Sequence, residues 1–291
     1  MIRALAIDGG GVRGIVPATV LAALEDLSGR RVHELFDLVA GTSTGAILAL
    51  GLTRPSPQAA GDLGGLYAER GGAIFPPAGE PGEPRDPGPL EVELTARLGM
   101  AAMSDALRPA LVVSCDADAR RPVVFRGGGL DPGAVGDAPM VRAALASSAF
   151  PGVFPPVRHV GADWVARACV DGGLIANDPG LVAYAEARAL GRGEEVLLVS
   201  LGTGLGPPPE ATDDPDAVAL ATAAAPELVR ESLRRALGDR YARLQTPLAF
   251  GAARAFDDAS PGNLEALRLT ADQLVARERP RLERLARLLT A

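Results

Sequence analysis

The sequence predicts a layered α/β domain built on a mostly parallel sheet. Short apolar runs alternate with helical segments through the first 205 residues. That order favours parallel strands joined by helices. Several of those runs stop at glycine-rich turns, the punctuation expected where a strand gives way to a helix or loop. Neither an internal repeat nor a linker interrupts the 291 residues. The chain therefore reads as one domain over 1–291, with ample length for a substantial core.

The elements follow in order. Residues 2–7 predict a buried strand, and "DGGGVRG" leads from it into a helix that runs to about Leu27. A second strand ends at Gly41, and Ala46 to Leu52 continue as helix. Residues 56–70 fit another helix. The Pro- and Gly-dense stretch at 76–89 predicts a surface loop, with a lid over the site as its functional alternative. Residues 110–116 and 122–126 predict a strand pair, and 139–150 a helix. Residues 164–173 end in a strand-to-loop exit, 194–204 form a buried strand with a glycine turn, and 206–217 form a second loop. The remainder, 217–291, reads as mostly helical. Pro226 suits the first turn of one helix, Ser260 and Pro261 cap the next, and Pro280 begins the last.

Composition excludes several classes. Hydrophobic residues are 47% and charged residues 22%, which is a folded globular balance. Aromatics are only 4%, so Leu, Val and Ala must fill the core. A formal net charge of −7 argues against a nucleic-acid partner, which usually meets a basic face. Every basic residue other than histidine is Arg. Cys115 and Cys169 are too few and too far apart for a disulfide framework or a zinc cluster. No metal or cofactor is expected. The N-terminus lacks the pattern of a signal peptide, and no apolar run reaches about 18 residues. A cytosolic protein with peripheral contact to membranes is the expectation.

Three places look chemical, and each ends an apolar strand. Gly9, Gly10, Gly11, Val12, Arg13 and Gly14 precede a helix. Their backbone N–H groups suit a phosphate or the oxyanion of an acyl-transfer transition state. The same glycines match a dinucleotide fingerprint, but the second strand ends without the acidic residue that such a fold uses. Gly41-Thr42-Ser43-Thr44-Gly45 is a G-x-S-x-G pattern, which can lift a serine hydroxyl on a sharp strand-to-helix turn. Asp171 opens the third place, Asp171-Gly172-Gly173. A serine nucleophile needs a base. His33 and His159 are the two histidines, and neither lies at a glycine-marked strand end. Both read as surface or structural residues. Asp171 does lie at such an end. It can take the serine proton directly if an apolar setting raises its pKa. As a turn-initiating Asp-Gly pair it would have no chemistry.

Together these motifs resemble the patatin-like phospholipases. "DGGGVRG", "GTSTG" and "VDGGLIANDP" stand in the family's order and approximate spacing. "ASSAFPGVFPP", "LVSLGTG", "RLQTPL" and "DDASPGNLEAL" resemble further segments of its bacterial members, so the likeness spans nearly the whole chain. It implies a three-layer α/β/α fold and hydrolysis of lipid acyl esters by a Ser-Asp dyad. Ser43 matches the nucleophile, Asp171 the base, and Gly9 to Gly14 the oxyanion segment, with the amides of Gly10 and Gly11 as donors and Arg13 supporting the loop. Gly41, Thr42, Thr44 and Gly45 frame the nucleophile. The partner implied is a phospholipid or related lipid at a membrane or micelle surface. Asp178 departs from the family's Asn, yet still suits a cap for the next helix, with Pro179 at its first position. Cys115 stands where relatives often carry tyrosine, a change that bears on the acyl pocket or on nothing. Two alternatives remain: an effector lipase switched on by a cyclic nucleotide in bacterial immunity, and a non-catalytic storage or binding relative.

Overall fold

A computed structural model describes residues 1–76, 83–206, 217–253 and 255–291. Eight strands form one sheet among these residues: β1 (Ile2–Ile7), β2 (Leu38–Thr42), β3 (Ala110–Asp116), β4 (Arg121–Gly127), β5 (Val157–Val160), β6 (Ala166–Asp171), β7 (Val196–Leu201) and β8 (Tyr241–Leu244). The order is β5-β6-β3-β2-β1-β7-β8, with β4 also paired to β3. β3, β2, β1, β7 and β8 are parallel. β4, β5 and β6 add antiparallel pairs at one end. The helices are α1 (Ile15–Ser28), α2 (Val32–Leu35), α3 (Thr44–Thr53), α4 (Ala60–Ile74), α5 (Gly88–Leu98), α6 (Met140–Ser148), α7 (Gly173–Ala176), α8 (Gly180–Leu190), α9 (Ala217–Leu237) and α10 (Pro261–Thr290).

Helices cover both faces, so the fold is a three-layer α/β/α sandwich. Within β1, Leu5 and Ile7 face one core, shared with α1, α3, α4, α5, α6 and α10. Ala4 and Ala6 face a smaller core, shared with Ala183 and Ala187 of α8 and with Leu233 and Leu237 of α9. Burial on both faces explains why these strands read as continuous apolar runs. Ala on the second face leaves room for α8 to approach closely.

The ends of two strands place the candidate site. β2 pairs with the first half of β3, up to Thr42 opposite Val113. β6 pairs with the second half, from Ser114 opposite Asp171 to Asp116 opposite Cys169. β4 takes up the other edge of β3 along its full length. β2 is parallel to β3 and β6 antiparallel, so their C-terminal ends meet head to head. Residues 43 and 171 are brought together through neighbouring positions of a third strand.

Some expectations fail. Pro226 and Pro280 do not start helices; they lie inside α9 and α10. An interior proline costs about 3 kcal/mol. In α10 the buried stripe of Leu267, Ala271 and Leu274 resumes after it as Leu282, Leu285 and Leu289, and burying that stripe offsets the cost. Strand β8 interrupts the mostly helical remainder. Ser260 caps α10 as expected, accepting from the Asn263 amide. Asp178 accepts from the Gly180 amide at 2.8 Å, so α8 starts after Pro179 rather than on it. Of the two proline-rich loops, residues 77–82 and 207–216 lie outside the described residues.

Candidate active site

The glycine loop after β1 is built by close approach. Gly9 donates its amide to Asn177 O at 3.0 Å, so that amide is engaged. Among the described residues, the amides of Gly10 and Gly11 have no acceptor. A Cβ on Gly10 would lie 2.3 Å from Thr203 Oγ1. Gly11 has φ +56, and a Cβ there would lie 2.1 Å from Phe256 O. Arg13 donates from Nε to Gly10 O at 3.3 Å, bracing the loop from within.

The serine turn follows the same logic. Ser43 has φ 54 and ψ −122, a strained setting for a residue with a side chain. The flanking glycines permit it. A Cβ on Gly41 would lie 2.1 Å from Gly45 O, and one on Gly45 would lie 2.1 Å from Ile7 O. The Ser43 amide donates to Ser147 Oγ at 2.8 Å, and Ser147 Oγ donates to Val113 O at 2.5 Å. Thr42 Oγ1 donates to Ala176 O at 2.7 Å, tying the turn to the segment after Asp171. The Thr44 hydroxyl donates to the Tyr67 hydroxyl, and Gly14 packs against both.

Asp171 is 3% exposed. Burial raises its pKa to about 7, against the pull of the Gly173 amide, which hydrogen bonds to the carboxylate, and of the nearby Ser43 hydroxyl. The Gly173 bond is 2.7 Å long. Among the described residues, no cation contributes to the shift. A carboxyl poised near neutrality beside a serine is suited to move a proton.

A second buried aspartate lies close by. Asp8 follows directly on β1, next to the glycine loop, and is 3% exposed. Arg243 of β8 donates to its two oxygens at 2.8 and 2.5 Å, and to Ser200 Oγ at 2.7 Å. Asp178 Oδ2 lies 3.4 Å from the same guanidinium. The Asp8 pKa is pushed up to about 7, chiefly by burial; Arg243 opposes this and Asp178 adds to it.

Ser43, Thr44, Gly11 and Asp171 open into a cleft of about 380 Å³, part of it open to solvent. Its walls are apolar, with Ile47, Tyr67, Ile74 and Leu90 beside a run of Phe75, Phe150, Val153, Phe154 and Phe256. Neither histidine lines it. His159 sits in edge strand β5, bonded to Val135 O and edge-on to Phe125. His33 lies on α2. Cys115 is on β3, outside the lining. Sequence reasoning missed Ser147, which holds the Ser43 amide, and Ser148, whose buried hydroxyl lines the cleft without a partner. It also missed Asn177 and Thr203, which bond Gly9. Their only signal was membership in the segments "ASSAF", "IANDP" and "SLGTG". Among the described residues, no group of three or more His, Cys, Asp or Glu side chains is placed to hold a metal, and no helix is long and apolar enough to cross a membrane.

A layered α/β sheet whose glycine-marked strand ends open into an apolar cleft of this kind suits an enzyme that acts on acyl esters. More narrowly, the family model for patatin-like phospholipase matches residues 5–184. The chain belongs to that family, and by that membership is a lipid acyl hydrolase. It is 29% identical to patatin-17 of Solanum cardiophyllum over 100% of this chain and 90% of that protein. It is 31% identical to a Solanum tuberosum protein named probable inactive patatin-3-Kuras 1, over 70% of this chain and 63% of that one. Among solved structures, VipD from Legionella pneumophila gives a TM-score of 0.45 at 13% identity, covering 95% of this chain and 67% of that chain.

Proposed function

We propose that Ser43 and Asp171 form a two-residue catalytic centre that hydrolyses carboxylic esters of phospholipids or related lipids. The observation that carries this reading is the meeting of a strained serine with a buried carboxyl that, among the described residues, no cation pairs with. Asp171 accepts the proton as Ser43 Oγ attacks the ester carbonyl. The free amides of Gly10 and Gly11 stabilise the oxyanion. Asp171 then protonates the leaving alcohol, and afterwards activates the water that releases the acid. A histidine is unnecessary because burial has already brought the carboxyl near neutral pKa. The acyl chain lies along the phenylalanine wall. Because α10 packs on α1, residues 1–291 act as one catalytic unit.

The test is hydrolysis of a mixed-chain phospholipid, with Ser43→Ala alongside. Fatty acid released by the unmodified protein alone supports the reading and identifies the acyl position. Equal release by Ser43→Ala would overturn it.

A further inference from the structure

The cleft has a fastening that the chemistry does not use. Its outer wall comes from three separate stretches of chain: Phe75 after α4, Phe150 to Phe154 after α6, and Phe256 before α10. Two aromatic contacts join them. Phe75 and Phe154 have ring centroids 5.8 Å apart, and Phe150 meets Phe256 edge-on at 5.0 Å. Arg85 contacts all three stretches. Its amide donates to Val153 O at 2.7 Å, its Nε donates to Pro76 O at 3.0 Å, and its guanidinium pairs with Asp257 Oδ2 at 2.8 Å. Each acceptor is a wall residue or its direct neighbour. The pair is largely sheltered, with side-chain exposures of 12% and 26%.

We propose that Arg85 and Asp257 are a clasp that holds the acyl cleft narrow, making this site selective for short, single acyl chains. The substrate half of this proposal rests on the hydrolase reading above. The cleft's 380 Å³ include open solvent, so the enclosed part that could take an acyl chain is smaller still. With the clasp closed, the phenylalanine wall cannot part. A long chain must separate Phe75 from Phe154, or Phe150 from Phe256, and both movements strain the contacts of Arg85. Arg85 touches neither Ser43 nor Asp171, so it is a positioning residue. Its loss should change which ester is bound and leave the rate of bond cleavage alone.

Two readouts test this on Arg85→Ala and on the milder Asp257→Asn, which guards against a failure of the first to fold. The first readout is amide hydrogen exchange, which needs no activity. Both variants should exchange faster together at Phe75, Val153, Phe154 and Val12, whose amide donates to Phe256 O. The second is kcat/KM on p-nitrophenyl dodecanoate and butanoate. The dodecanoate-to-butanoate ratio should rise about three- to tenfold, the size of a coupling between contacting residues. The change should lie in KM, with kcat for butanoate held within about twofold, and Arg85→Lys should restore part of the selectivity. Unchanged exchange in both variants overturns the clasp, whatever the esters do. Faster exchange with an unchanged ratio overturns the selectivity. If the unmodified protein and Ser43→Ala are equally inert on both esters, the hydrolase reading fails and the selectivity with it, while exchange still decides the clasp.

Discussion

Asp171 and Asp8 occupy nearly matching environments and have different fates. Each stands at the end of a strand, each is 3% exposed, and burial brings each to about 7. Asp8 is gripped by Arg243, which also faces Asp178. Among the described residues, the groups that act on Asp171 are an amide and the Ser43 hydroxyl. A shifted pKa therefore does not identify a base. What separates the two is whether the carboxyl's partner is a fixed cation or an exchangeable proton on a serine. Asp8 is held at the start of the glycine loop, and Asp171 lacks that grip, as the base proposed above requires.

Removing the two carboxyl systems should separate chemistry from stability. The largest expected effect is on turnover. Ser43→Ala and Asp171→Asn should each lower kcat/KM on a soluble acyl ester by at least about a thousandfold. The melting temperature of Asp171→Asn at pH 8 should hold or rise, because a buried charge is gone. An active, folded Asp171→Asn would end the role given to this carboxyl. Arg243→Gln should do the opposite kind of damage. It leaves two buried carboxyls without the guanidinium that contacts both, which should cost about 3 kcal/mol or more of stability, read by denaturant titration. A variant as stable as the parent would show that the Arg243 cluster does not hold the fold.

The pH dependence sharpens the contrast. Asp171 must be ionised to accept a proton, so activity should rise with pH through about 7. Stability moves the other way. Both carboxyls are raised in the folded state above the ordinary 3.8, so between about 4 and 7 the folded protein binds more protons than the unfolded chain. Their contribution to stability is therefore lost as pH rises through that window. Asp171→Asn should flatten part of that slope, which melts at several pH values would reveal.

Smaller effects complete the comparison. Asp178→Asn keeps the cap on the Gly180 amide and removes one of two carboxylates around Arg243. It should lower the Asp8 pKa and add about 1 kcal/mol of stability at pH 8, with activity unchanged. A loss of stability would mean that the second charge is needed. The smallest effect belongs to His159→Gln, which should keep turnover within about twofold because its ring reaches Val135 and Phe125 rather than the cleft.

Much of this was legible in the chain, for local reasons. The glycines at 9, 10, 11, 14, 41 and 45 stand where a Cβ would come within 2.1 to 2.5 Å of another atom, which excludes a side chain. Strands β1, β2, β3 and β7 were visible as apolar runs because helices bury both of their faces. Pro226 and Pro280 misled because a local rule met a long-range stripe of buried leucines. Strand β8 was hidden because it is four residues long and pairs only with β7. Ser147, Thr203 and Arg243 carried no signal beyond the family-like segments that hold them, since each acts on a residue more than thirty positions away.

The sequence by itself determined the family, the layered α/β class, the strained serine turn and the strand-end aspartate, because strand-to-helix turns are written in adjacent glycines and apolar runs. Only the tertiary structure decided that β2 and β6 meet end to end on β3, and that, among the described residues, Asp171 rather than Asp8 is left without a cation. It also placed Arg85 across three wall segments. Those outcomes depend on desolvation and on contacts between residues distant in the chain, and neither is encoded in any short stretch of it.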